Sequence, residues 1–359
     1  MSVFENRTAK LTEQLSQDSL DGMIVINLTN VHYLSGFTGS AGTCLILPDE
    51  NYFFSDGRYL TQSQKQVQGM KIIIDADPHL GIIHKKKLIK NGLNLGFEAA
   101  HLPVSEMDKM SALFPESKFT PTVNLVEKIA CVKDQSEIRN FRKAVEITDD
   151  VFDQIVPQIK EGVKEKEIAA KISYAIKVLG GDGDAFDPIV AGGPNSALPH
   201  AVPGDREFQK GDFIVLDFGA KYQGYHADMT RTVVVGEASE KHEEIYNIVL
   251  KAQEKGIEAV KDGMSCKTID SATRDYISEK GYGEYYIHST GHGLGLEIHT
   301  MPRLSQLSED TVYENYVVTI EPGIYIPDFG GVRIEDDVVV GKNGGEVLNK
   351  APKELLVVG

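Results

Sequence analysis

Phe213-Ile214-Val215-Leu216-Asp217-Phe218-Gly219-Ala220 is an apolar run with one carboxylate set inside it. Unbroken apolar character over such a length predicts a strand covered on both faces, so Asp217 belongs indoors. An isolated buried carboxylate is costly. Eleven residues on stands Asp228. If 221–224 form the tip of a hairpin, the two acids face each other with Cβ atoms roughly 4.5–5.5 Å apart, where like charges destabilise a sheet. The pair therefore asks for a cation between its members. Arg231 is a poor candidate, because residues an odd number apart on one strand point to opposite faces.

Working outward, the second half of the chain repeats the device. Glu321 follows Val318-Thr319-Ile320, and Glu335 follows Gly331-Val332-Arg333-Ile334. Strand alternation puts Arg333 on the face of Glu335, where it can orient or neutralise part of the cluster. A fifth donor is His292, between the glycines of Gly291-His292-Gly293-Leu294-Gly295, with His299 seven residues on and His200 in a separate loop. Four carboxylates and one imidazole balance two divalent cations, and an oxygen-rich set with one nitrogen favours manganese, cobalt or zinc over calcium or magnesium. Two metals about 3.5–4 Å apart would hold a bridging water as hydroxide, a route to hydrolysis without a covalent intermediate.

The rest of the sequence sets limits. At 359 residues the chain exceeds one ordinary core, so two domains are expected, 1–126 and 127–359. The first reads as mixed α/β, with a helix over 6–17 and strands at 23–26, 44–47 and 71–74. The second reads as two helices (136–159, 164–179) and strands (187–191, 213–235), then two helices (241–261, 266–280) and strands (317–320, 332–340). That order suggests an internal duplication, and Lys160-Glu161-Gly162 echoes Lys261-Asp262-Gly263. A net charge of −16 repels phosphate backbones and anionic lipid, which argues against nucleic-acid and membrane partners. No apolar run approaches a bilayer-spanning length, and the N-terminus shows no secretory pattern, so a cytoplasmic location is expected. Three scattered cysteines make neither a disulfide framework nor a thiolate zinc site. Other hydrolytic and metal motifs fail: there is no HExxH, no nucleophile elbow, no phosphate loop, and Asp182-Gly183-Asp184 lacks the later EF-hand positions.

Taken in order, Leu216-Asp217-Phe218-Gly219, Asp228-Met229-Thr230-Arg231-Thr232, Gly291-His292-Gly293-Leu294-Gly295, Ile320-Glu321-Pro322-Gly323 and Val332-Arg333-Ile334-Glu335-Asp336 resemble the proline-specific metallopeptidases of the pita-bread fold, aminopeptidase P and prolidase. The resemblance extends to the N-terminal segment, with Phe37-Thr38-Gly39-Ser40-Ala41-Gly42-Thr43 and Asp56-Gly57-Arg58-Tyr59. Methionine aminopeptidases lack that domain, and creatinase lacks the metal ligands. The resemblance implies an α/β (α+β) chain whose pita-bread domain carries a pseudo-two-fold duplication. It implies that Asp217 binds one metal, His292 and Glu321 the other, and Asp228 and Glu335 both, with manganese expected. Glu321 would also shuttle the proton, His200 and His299 would polarise the scissile carbonyl, and Tyr325 and Arg333 would support the metal shell. The expected activity is release of the N-terminal residue from peptides with proline in second position. The alternatives are cleavage of Xaa-Pro dipeptides alone, or a pita-bread binding protein without catalysis. Homologues of this kind are commonly homodimers, and a homodimer is expected here.

Overall fold

Ser2 and Glu5 close a capping box, which starts the first helix at Val3 and runs it to Gln17, three residues ahead of the expected start at 6. The computed structural model describes residues 2–359 and divides into two units, the first ending at Ala130 and the second spanning Cys131–Gly359. The boundary expected at 126 falls inside the helix Leu125–Cys131.

In the first unit the strand Gly22–Val25 lies at the middle of a six-stranded sheet. It pairs antiparallel with Thr43–Ile46 and parallel with Asn94–Glu98. Tyr52–Ser55 and Lys71–Ile74 extend one side, and Lys118–Thr122 closes the other. Ile24, Leu45, Phe54, Ile82, Leu95 and Met110 pack one face of this sheet. Pro121 is confined to the outermost strand, where a missing N–H breaks no interior ladder.

The second unit follows one plan twice. Helices Gln135–Ile155 and Glu165–Val178 accompany a four-stranded sheet containing Ile189–Gly192, Phe213–Phe218 and Met229–Val235. Helices Glu240–Ala259 and Cys266–Glu279 accompany a five-stranded sheet containing Gly291–Gly293, Thr300–Leu304, Val317–Ile320 and Asp336–Val340. Ile155, Ile172, Ile214, Leu216 and Val233 fill the first core, whereas Cys266, Ile269, Val318, Ile320 and Val338 fill a core of the second half. The expected strand 332–340 is interrupted: Gly330–Arg333 turns to pair with Gly323–Ile326, and Asp336–Val340 continues the larger sheet. Among the described residues no helix is long and apolar enough to cross a membrane.

Candidate metal centre

Strand register places the first acid. Asp217 sits opposite Thr230 on one side and Ile189 on the other, and it is buried. The expected face-to-face pairing of Asp217 with Asp228 does not occur. The hairpin tip is Gln223-Gly224, both with positive φ (50° and 80°), between the paired Tyr222 and Tyr225. A two-residue turn of that kind shifts the register by two relative to a four-residue tip, so Asp228 lies diagonally from Asp217 on the same face. Arg231 points away from Asp228, as strand alternation requires, and pairs with Asp336 at 2.7 Å in the interior.

Three of the acids stand where the ladder lapses. Asp228 lies between Tyr225–His226 and Met229–Val235, Glu321 just after Val317–Ile320, and Glu335 between Gly330–Arg333 and Asp336–Val340. Freed from regular pairing, their side chains converge with His292. Its Nε2 lies 3.6 Å from Asp228 Oδ2 and 3.5 Å from Glu321 Oε1. Nδ1 lies 3.1 Å from the Gly293 carbonyl oxygen, a contact that turns Nε2 toward the acids. One ligand atom each from Asp228, His292 and Glu335 falls within a mutual 4.8 Å. The glycines beside His292 matter because a Cβ on Gly291 would come 2.0 Å from the Thr319 carbonyl oxygen, and one on Gly293 equally close to that of Met301. The close approach is thus to the neighbouring strands rather than to the acids themselves.

Arg333 ties the cluster together. Its guanidinium donates to Asp217 Oδ2, to Thr230 Oγ1 at 3.0 Å and to the Tyr325 hydroxyl at 2.6 Å. Thr230 Oγ1 in turn donates to Glu335 Oε2 at 2.7 Å. Each of these two acids therefore has one oxygen pinned, while Asp217 Oδ1 and Glu335 Oε1 are buried without a partner. Burial, then repulsion among neighbouring acids, pushes the Asp228 and Glu335 carboxyls well above the usual carboxylate range. Burial also pushes Glu321 up to about 7 and His292 down to about 4. Four crowded acids, two bare oxygens and a neutral imidazole form a donor set that fits divalent cations and is poorly satisfied by the protein alone.

The cluster floors a cavity of about 440 Å³ walled by Phe186, Ile189, Pro199 and Ile298. His200 and His299 both line it, and the rings of His292 and His299 stand 4.4 Å apart. Burial lowers the His299 pKa, which favours a neutral ring. All the residues expected from the sequence are thus gathered in or directly beneath one cavity. Sequence reasoning missed His288, whose Nε2 lies 2.8 Å from the Tyr325 hydroxyl and whose Nδ1 lies 4.0 Å from Glu321 Oε2. Its signal was faint: a second imidazole four residues before His292. It also missed Thr230, whose place two residues after Asp228 puts it on the same strand face.

The comparisons with known proteins agree with this chemistry. The family description Metallopeptidase family M24 matches residues 139–342, and Creatinase/Prolidase N-terminal domain matches residues 7–132. An Xaa-Pro dipeptidase of Pyrococcus horikoshii is 38% identical over 99% of this chain and 100% of its own length. Among solved structures, an Xaa-Pro dipeptidase from Bacillus anthracis is 42% identical with a TM-score of 0.95, covering 99% of this chain and 100% of that one. An X-Pro aminopeptidase from Thermotoga maritima is 37% identical with a TM-score of 0.90, covering 98% of this chain and 100% of that one. A cation-seeking cluster of acids on this fold, matched over more than half the chain, places the protein in metallopeptidase family M24.

Proposed function

We propose that the protein is an Xaa-Pro dipeptidase, a prolidase, that hydrolyses the bond before proline in dipeptides. The observation that carries this reading over the aminopeptidase is Arg303. It lines the cavity directly across the strand pair from His292. Arg333 is committed to Asp217, Thr230 and Tyr325, whereas among the described residues the Arg303 side chain makes a single bond of 3.4 Å, to Ser289 Oγ. A dipeptide brings a free carboxylate into the cleft, and an uncommitted guanidinium is its natural partner. The names of the similar dipeptidases favour the same choice. A second reading, release of a residue from longer Xaa-Pro peptides, draws support from the likeness to the Thermotoga maritima aminopeptidase.

Asp217, Asp228, His292, Glu321 and Glu335 would hold two divalent cations, with manganese the first candidate and cobalt or zinc the alternatives. When bound, such ions lower the pKa of water and withdraw electron density from a carbonyl. Around them the chain's own groups have distinct tasks. Glu321 accepts the proton of the attacking water and returns it to the proline nitrogen, which has no amide hydrogen and leaves only when protonated. His200 and His299, on the cavity wall, donate to the oxygen that gains charge. Tyr325, bonded to Arg333 and His288, fixes the opposite side of the cluster. Family resemblance supports a homodimer acting on peptides that carry proline second.

The test is hydrolysis of Xaa-Pro and Xaa-Pro-Xaa-Xaa by metal-stripped protein resupplied with manganese, cobalt or zinc, with Glu321→Gln as control. Cleavage of the dipeptide alone is expected. Cleavage of the tetrapeptide would transfer the assignment to the aminopeptidase, and inertness toward both with every metal would overturn the enzyme reading.

A further inference from the structure

His200 is held in place remotely. Among the described residues its imidazole has no hydrogen-bond partner, and its neighbours Leu198 and Val202 are 58% and 85% exposed, so packing does not fix the middle of the segment 193–204. The ends are fixed by one buried side chain. Glu165, 1% exposed, accepts from the Gly192 N–H at 2.9 Å and the Asn195 amide at 3.0 Å through Oε1. Through Oε2 it accepts from the Gly204 N–H at 3.0 Å. Three donors on two oxygens thus close the segment at both ends.

Glu165 is itself well anchored. It is the first residue of the helix Glu165–Val178, where a negative charge is favoured by the helix dipole. Its own N–H donates to the Arg206 carbonyl at 3.1 Å, and that of Lys166 to the Gly204 carbonyl at 3.2 Å. Inside the segment, Ser196 Oγ accepts from the Gly331 N–H at 2.8 Å, two residues from Arg333 on the same strand. The clamp therefore has a fixed base on the helix and a register pin toward the carboxylate cluster.

We propose that Glu165 is a positioning residue: its carboxylate clamps both ends of the segment that carries His200 and so sets that imidazole on the cavity wall opposite the acids. Glu165 touches no reacting group, and its effect passes entirely through His200. The assignment rests on the peptidase reading of the cavity.

Two readouts test it on the full-length, manganese-loaded protein. In hydrogen–deuterium exchange, Glu165→Gln should speed exchange in 192–204 while leaving 290–304 at the wild-type rate. In steady-state hydrolysis of an Xaa-Pro dipeptide, Glu165→Gln should lower kcat by about ten- to a hundredfold with KM and manganese content near wild type. His200→Ala should lower kcat at least as far, and the double variant should be no slower than His200→Ala alone. A double variant slowed by the product of the two effects would overturn the proposal. So would unaltered exchange in 192–204, or loss of manganese with Glu165→Gln. If Glu165→Gln does not fold, Asn195→Ala removes one of the three donors and should produce smaller changes in the same directions; no change would overturn the clamp. Absence of turnover by the wild-type chain would instead strike the proposed function, and the exchange result would still decide the clamp.

Discussion

Thr230 is fully buried and passes a hydrogen bond from Arg333 to Glu335 through one hydroxyl. Thr230→Val keeps the shape and removes both bonds, leaving the Arg333 Nε–H unsatisfied at a cost of about 1–3 kcal/mol. Manganese affinity should fall about ten- to a hundredfold in a calorimetric titration, with the far-UV spectrum unchanged. Arg303→Ala should raise KM for a dipeptide without lowering kcat comparably, because it removes a partner of the bound substrate rather than a group acting on the scissile bond. Steady-state kinetics on Xaa-Pro and its C-terminal amide would check this: the amide should lose little on substitution. The clustered acids were legible in the sequence because a carboxylate inside an apolar strand pattern is anomalous in its own right. Thr230 and His288 were not, since a threonine in a strand is ordinary and a histidine's role depends on which hydroxyl tertiary packing brings to it.

At the level of elements, amphipathic periodicity located the four long helices of the second unit to within a few residues of their observed ends. The first helix began earlier than expected because Ser2-x-x-Glu5 is a capping signal outside the apolar pattern. Strand breaks were harder to read. β-rich patterns read as single strands over 213–235 and 332–340 conceal the points at which the chain leaves one ladder for another, and Asp228 and Glu335 stand at those points. The shift in the 217–228 register was likewise set by two residues of positive φ at the turn. The strand Gly291–Gly293 is tightly constrained. Gly293→Ala would drive a Cβ to 2.0 Å from the Met301 carbonyl oxygen and displace the strand that carries His292. It should destabilise the protein by about 1–3 kcal/mol or more and weaken manganese binding, measured by urea denaturation and metal content.

For the molecule as a whole, burial and then crowding of acids make stability depend on pH in an unusual direction once metal is removed. Glu321 is shifted from an ordinary 4.5 to about 7, and Asp228 and Glu335 move the same way. Between those values the folded cluster binds more protons than the unfolded chain, so its contribution is complete below about 4.5 and is lost as pH rises toward about 7. Metal-stripped protein should therefore melt at progressively lower temperature from pH 5 to pH 7 in scanning calorimetry. Reloading with manganese should raise the midpoint most at the upper end, where the acids no longer need protons to coexist. A division into two units was readable from length, though not its position, whereas the dependence of one centre on both sheets was readable only from the paired order of the motifs.

Asp217 and Asp228 come from the first repeat of the second unit, and His292, Glu321 and Glu335 from the second. Ions shared between them would act as a rivet through the seam, closing loops of roughly a hundred residues whose entropy the backbone alone must otherwise surrender. Neither repeat carries the whole set by itself, so a chain cut between Val235 and Glu240 would regain its metals only as its fragments found each other.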